Sequence, residues 1–196
     1  MKIIWYGHSC FEITGSDGTV IFDPYQEGSI PGLNKLHLKG NLVLCSHEHD
    51  DHNARDCVDV LPKEFKVEKI ETYHDHHLGS RRGKNTIHIL TYENMKVVHM
   101  GDIGCMLDDL SKIKNCGVLM IPIGGYYTID ALEYINQIQP RIVIPMHYRS
   151  GDVGYDVLST NEEFIKNRKD ICYVKDVIEV NQETQKQTVI FEKPRN

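Results

Sequence analysis

The chain has 196 residues, 40% of them apolar and 26% charged, and its 28 acids against 22 bases leave a net charge of −6. That length suits a single domain spanning residues 1–196, able to bury about 70% of its unfolded surface, and the acidic balance argues against nucleic acid as the main partner. No apolar run approaches a membrane span. The opening residues lack the features of a signal peptide, and the six cysteines form no CxxC pair, so the expected address is cytoplasmic with reduced thiols.

Short β-branched and apolar runs between turn residues predict a strand-rich first half. They cover Lys2–Tyr6, Cys10–Thr14, Thr19–Phe22, Leu42–Cys45, Val67–Tyr73 and Thr86–Tyr92. Further runs follow at Lys96–Met100, Val118–Ile121, Ile142–Pro145, Cys172–Val180 and Thr188–Phe191. Gly15-Ser16-Asp17-Gly18 reads as a hairpin turn, because glycine and aspartate tolerate positive φ. Helices are predicted over Met106–Lys114, over Asp130–Gln139 where Pro140 ends the run, and over Ser159–Lys169 behind a Ser or Thr cap. Strands first, then strands alternating with helices, imply a mixed α/β protein of one large sheet or two, covered by helices.

Chemistry concentrates where the buried run Leu42–Cys45 ends, in Cys45-Ser46-His47-Glu48-His49-Asp50-Asp51-His52-Asn53. Residues two apart on an extended chain point the same way, so His47 and His49 can share an ion while Glu48 points elsewhere. A turn into helix after them would swing Asp51 and His52 to a second position, leaving Glu48 and Asp50 facing solvent. Imidazole and carboxylate together suit borderline cations such as zinc, manganese and iron. The plain alternative is a surface loop rich in histidine and acid.

The run HxHxDH, here His47 to His52, resembles the first motif of the metallo-β-lactamase superfamily. Trp5–Ile13, Val20–Pro24, His74–Ile87, Val97–Gly104, Val118–Asp130 and Arg141–Tyr148 are similar, in the same order, to blocks of its small UlaG-like metal-dependent hydrolases. The resemblance spans about residues 1 to 150. It implies an αββα sandwich of two mixed sheets flanked by helices, with metals at one edge of the paired sheets. It also implies a first ion on His47 and His49, a second on Asp51 and His52, and Asp102 bridging them. His147 would close the second site and His74 the first, with His76 or His77 as alternatives for that position.

On the residues themselves, Asp102 and His147 each follow a buried apolar run, as His47 does. Asp23, after Val20–Phe22, is a candidate to orient a ligating imidazole, or a plain turn residue before Pro24. His8 matches the family's Gly-His and is expected either to face the substrate as a proton donor or to be a hydrogen-bonded strand-end residue. His37, His88 and His99 read as surface or sheet residues. Arg82, within the basic cluster of Arg81 and Lys84, and Tyr126, beside Tyr127, are candidates to line the substrate mouth; a solvated charge run and rim packing are the competing readings.

The cofactors expected are two divalent ions, zinc or manganese with iron as the alternative. They would bring a bridging water's pKa toward neutrality, with Asp51 taking or orienting its proton. The chain has no room for the extra substrate-capturing domain of RNA-processing relatives. The expected substrate is therefore a small ester, lactone or phosphodiester, anionic or not, acted on by a monomer or homo-oligomer with no nucleic-acid or membrane partner. The alternative is a metal-binding relative engaged in iron redox chemistry or ligand sensing.

Overall fold

The computed structural model describes residues 1–125 and 131–195. The first strands are β1 (Lys2–Gly7), β2 (Cys10–Gly15), β3 (Gly18–Phe22), β4 (Leu38–Gly40), β5 (Leu42–Leu44) and β6 (Val58–Val60). Then come β7 (Lys66–Tyr73), β8 (Lys84–Tyr92), β9 (Met95–His99), β10 (Val118–Pro122), helix α1 (Ala131–Ile138) and β11 (Ile142–Met146). Helix α2 (Glu162–Lys166), β12 (Ile171–Val174), β13 (Val177–Glu179) and β14 (Gln187–Phe191) complete the described order, with one turn of 3-10 helix at Arg55–Cys57 between β5 and β6.

One sheet runs β13-β1-β2-β3-β5 and the other β12-β14-β11-β10-β9-β8-β7, with β4 and β6 paired apart from both. Alternate residues of the first sheet (Ile3, Trp5, Phe11, Ile13, Val20, Phe22) pack in one core with Ile87, Ile89, Val97, Leu119 and Ile121 of the second. Every position of β10 and β11 is buried, so both faces of that part of the sheet are covered. Parallel neighbours need a crossover, and α1 provides it while burying Ala131, Tyr134, Ile135 and Ile138.

Strand direction positions the site. In the first sheet β1 and β3 flank the antiparallel β2, and β5 is parallel to β3, so β1, β3 and β5 run alike. In the second, β8 is antiparallel to both β7 and β9, while β9, β10 and β11 are mutually parallel, so β7, β9, β10 and β11 run alike. The residues that follow these strands are His8, Asp23, His47, His74, Asp102 and His147. The carboxyl ends of such strands are where sheet proteins of this kind bind ligands.

Three expected elements differ. Met106–Lys114 is not helical, because its backbone has better local partners. The Asp109 carboxylate accepts the Ser111 amide at 2.8 Å, and the Leu107 amide donates to Tyr134 Oη at 2.9 Å. The helix expected over Ser159–Lys169 shrinks to α2, since Ser159 accepts the Arg149 amide and Thr160 bridges to Arg149. Cys172–Val180 divides into β12 and β13, which belong to different sheets, and the break carries the Asp176 carbonyl that accepts the Trp5 amide.

Candidate metal centre

Beyond β5 the chain forms a turn, closed by the His52 amide on the His49 carbonyl at 2.9 Å. The helix expected there is absent, yet the turn brings Asp51 and His52 round all the same. Asp23, fully buried and held at φ 41, organises it. Its carboxylate accepts the Ser46 amide at 2.7 Å, the Ser46 hydroxyl at 2.6 Å and His52 Nδ1 at 2.7 Å. With its hydroxyl proton committed to Asp23, Ser46 Oγ offers a lone pair to His47 Nδ1, 2.9 Å away. Both imidazoles are thereby held through Nδ1, and each keeps a buried Nε2 with no hydrogen bond. Holding each ring through Nδ1 in this way aims the Nε2 lone pair at a cation.

Asp102 stands at the centre. Its amide donates to Asn85 Oδ1 at 2.9 Å, and the preceding Gly101, at φ 57, lies so close to Asn85 and Ser46 that any Cβ would collide with both. Asp102 Oδ2 is 2.8 Å from His147 Nε2, 3.2 Å from His74 Nε2 and 3.4 Å from His52 Nε2. Three sets of donor atoms lie within 4.8 Å of one another: His47, His49 and His74; His47, His52 and Asp102; and His8, Asp51, His52 and His147.

Burial and charge divide the protonation states. Burial, with the nearby His52, pushes His47 down to about 3, and burial with His147 pushes His8 down to about 4. Burial raises Asp23, Asp51 and Asp102, but neighbouring histidines outweigh it and hold all three below the usual carboxylate range. For His52 burial acts downward, and Asp102 and Asp23 overcome it to raise the imidazole well above its ordinary value. Ionised carboxylates and neutral imidazoles are the forms that bind a cation. His47, His8 and the three aspartates are therefore ready for one, while a cation at His52 would displace the proton that Asp102 and Asp23 hold there. Among the buried atoms without a hydrogen bond are His47 Nε2, His52 Nε2 and Asp102 Oδ1, from residues whose donor atoms lie within 4.8 Å of one another. This donor set fits divalent ions of the zinc and manganese class.

A small cleft of about 90 Å³, open at its mouth, adjoins the cluster. Its polar side carries His49, Asp51, His74, Asp102, His147 and Arg82, and its apolar side Ile103, Pro122, Val157 and Leu158. Of the basic cluster only Arg82 is among the lining residues. His76 and His77 are exposed on the loop after His74, and Tyr126 and Tyr127 lie outside the described residues. Glu48 is exposed and pairs with Arg55 at 2.7 Å, while Asp50 accepts Gln26 Nε2 at 3.1 Å. His99 is packed on Phe22 with ring centroids 5.0 Å apart, His88 donates to the Cys45 carbonyl, and His37 is exposed.

Four contributors had no assigned part in the sequence reading: Ser46, Asn85, Asp75 and Tyr155. Asp75 is fully buried, and its carboxylate accepts the amides of His77, Gly79, Arg81 and Arg82. It thereby shapes the loop that carries Arg82. Tyr155 donates to the Ser29 carbonyl at 2.7 Å and lines the cleft beside Asp51. None of the four left a readable signal; Asn85 sits between Lys84 and Thr86 in a polar strand start.

Residues 2–147, ending on the last of these histidines, match the family described as the beta-lactamase superfamily domain. The chain belongs to the metallo-β-lactamase superfamily. A metal-dependent hydrolase of Thermoplasma acidophilum is 26% identical over 192 residues, covering 78% of this chain and 85% of its own. One from Thermoplasma volcanium is 28% identical over 193 residues, covering 78% and 86%. A Thermotoga maritima structure, described as a Zn-dependent hydrolase of the metallo-β-lactamase superfamily, aligns with a TM-score of 0.75 at 24% identity over 97% of each chain. This likeness speaks for the fold, the αββα sandwich of the superfamily. The chain is thus a metal-dependent hydrolase of the metallo-β-lactamase superfamily. No helix among the described residues is long and apolar enough to cross a membrane.

Proposed function

We propose that this hydrolase works with two divalent cations, zinc or manganese with iron as the alternative, on a small ester, lactone or phosphodiester. His47, His49 and His74 would hold the first ion, Asp51, His52 and His147 the second, and Asp102 would be shared. The observation that carries the reading is Asp102 Oδ2, within 3.4 Å of imidazole nitrogens from both groups. When bound, the ions supply Lewis acidity, which brings a water's pKa toward neutrality and polarises the substrate's carbonyl or phosphoryl oxygen.

The chain's own residues do the rest. Asp51, kept ionised beside the cleft, orients the attacking water and accepts its proton at a carboxylate oxygen. Ile103, Pro122 and Leu158 keep bulk water from the apolar side, which strengthens the electrostatic interactions within. Arg82 binds an anionic group of the substrate at the mouth, with its backbone fixed by Asp75.

The test is metal analysis of protein purified without added metal, followed by turnover on lactone and phosphodiester panels with and without chelator. Two equivalents of zinc or manganese per chain, with hydrolysis that chelation removes and metal restores, is the expected result. Iron content with O₂ consumption and no hydrolysis overturns the proposal.

A further inference from the structure

His8 sits just past β1 with its backbone in the left-handed region, at φ 52. Residues other than glycine stay there only where their surroundings over-determine the conformation. Here the His8 carbonyl accepts both Trp5 Nε1 at 3.1 Å and the His147 amide at 3.3 Å. The backbone is thus pinned to the segment that carries His147.

The imidazole is 2% exposed, and neither ring nitrogen makes a hydrogen bond. Nε2 is 3.2 Å from Asp51 Oδ2 without hydrogen-bond geometry. The ring centroid is 4.0 Å from that of His147 and 5.2 Å from that of His52, and Tyr155 meets it edge-on at 5.8 Å. A buried polar group without a partner calls for one. A hydrogen-bonded strand-end histidine would show that partner. A proton donor would have to reach the leaving group, yet His8 is not among the residues lining the cleft, while Asp51, His147 and Tyr155 are.

We infer that His8 is a protein ligand of the second cation, joining Asp51, His52 and His147 in a set of three imidazoles and a carboxylate. Their donor atoms lie within 4.8 Å of one another, and zinc and its neighbours accept such a set. His8 is then a holder of the ion and not a proton carrier. The inference rests on the two-cation reading, and the experiment separates the two.

Apoprotein is titrated with Co(II), read by its visible absorption, and with Zn(II) against a chromophoric chelator. His8→Asn removes the imidazole while asparagine still accepts the left-handed backbone. His8→Gly leaves a space for free imidazole, and circular dichroism and thermal melting report whether each variant folds. Wild type is expected to bind two equivalents. In His8→Asn the second equivalent should weaken by about 100-fold or more, given that even outer-shell losses cost 10–100-fold, and the Co(II) bands of that site should change. Added imidazole should restore part of the lost affinity in His8→Gly.

Folded variants that bind both ions with wild-type affinity and spectrum, and lose only turnover, overturn the ligand role. If wild type binds one equivalent that weakens in His8→Asn, the ligand role stands and the two-cation reading falls. A single equivalent indifferent to His8 overturns both.

Discussion

The two ends of the paired sheets use the same backbone device for different purposes. At the end where β9, β10 and β11 begin, left-handed residues turn the chain: Glu93 and Asn94 join β8 to β9, Asn115 precedes β10, and Gln139 follows α1. Their polar groups are satisfied. The Asn115 amide donates to the Ile138 carbonyl, the Gln139 amide to the Ile135 carbonyl, and the Glu93 carboxylate accepts the chain's amino terminus and the Ser16 amide. At the other end His8, Asp23 and His147 are left-handed, and their side chains converge on buried histidine and aspartate atoms, several of them unpaired. The more open groove lies at the first end, lined by Asn94, Lys96, Asn115, Gln139 and Arg141. Among the described residues, every cluster able to hold a metal lies at the second. Unsatisfied buried polar atoms therefore mark this site better than the size of the hollow beside it.

Substitutions at the two ends should separate them sharply. Asp102→Ala removes the carboxylate shared by both histidine groups and should lower kcat/KM by about a thousandfold or more, with loss of bound metal measured alongside. Full metal content and activity in that variant would sink the shared assignment. Asp23→Asn leaves the ligands in place but weakens the hold on His52 and, through Ser46, on His47. Metal affinity or turnover should fall 10–100-fold, read by chelator competition and steady-state kinetics. At the opposite end Asn115→Ala should cost about 1 kcal/mol, a Tm fall of about 2–4 °C, with kcat/KM unchanged, and Asn115→Gly should spare most of it. A loss of activity there would break the division between the ends. Smallest of all, Glu48→Gln loses an exposed ion pair with Arg55; stability should change by at most about 0.5 kcal/mol and metal content not at all.

Much of the candidate centre could be read along the chain because its donors follow buried strands. An apolar β-branched run that stops at histidine or aspartate is visible without a structure, and His47, Asp102 and His147 share that signature. Most strands were legible for the same reason, down to the Gly15–Gly18 hairpin, while the three-residue β4 and β6 were not read and β12 and β13 were read as one. The helix expected over Met106–Lys114 was not, since a local Asp109–Ser111 bond and the distant Tyr134 hydroxyl both compete for its backbone. Arg82 lines the cleft, and its equally exposed basic neighbours Arg81 and Lys84 do not. Spacing within a loop does not say which side chain borders the cleft.

Composition and pattern alone determined the strand-rich α/β class and marked His47 to His52, with the later strand ends, as candidate cation donors. Those are local properties: burial periodicity and donor chemistry are written residue by residue. The tertiary structure decided which donors share an oxygen of Asp102, that Asp23 holds two imidazoles, that Asp75 gathers four amides, and that His8 lies behind the cleft wall. Apart from the local Asp75 loop, these depend on groups far apart in sequence, brought close only because β1, β3, β5, β7, β9 and β11 all run toward the same edge.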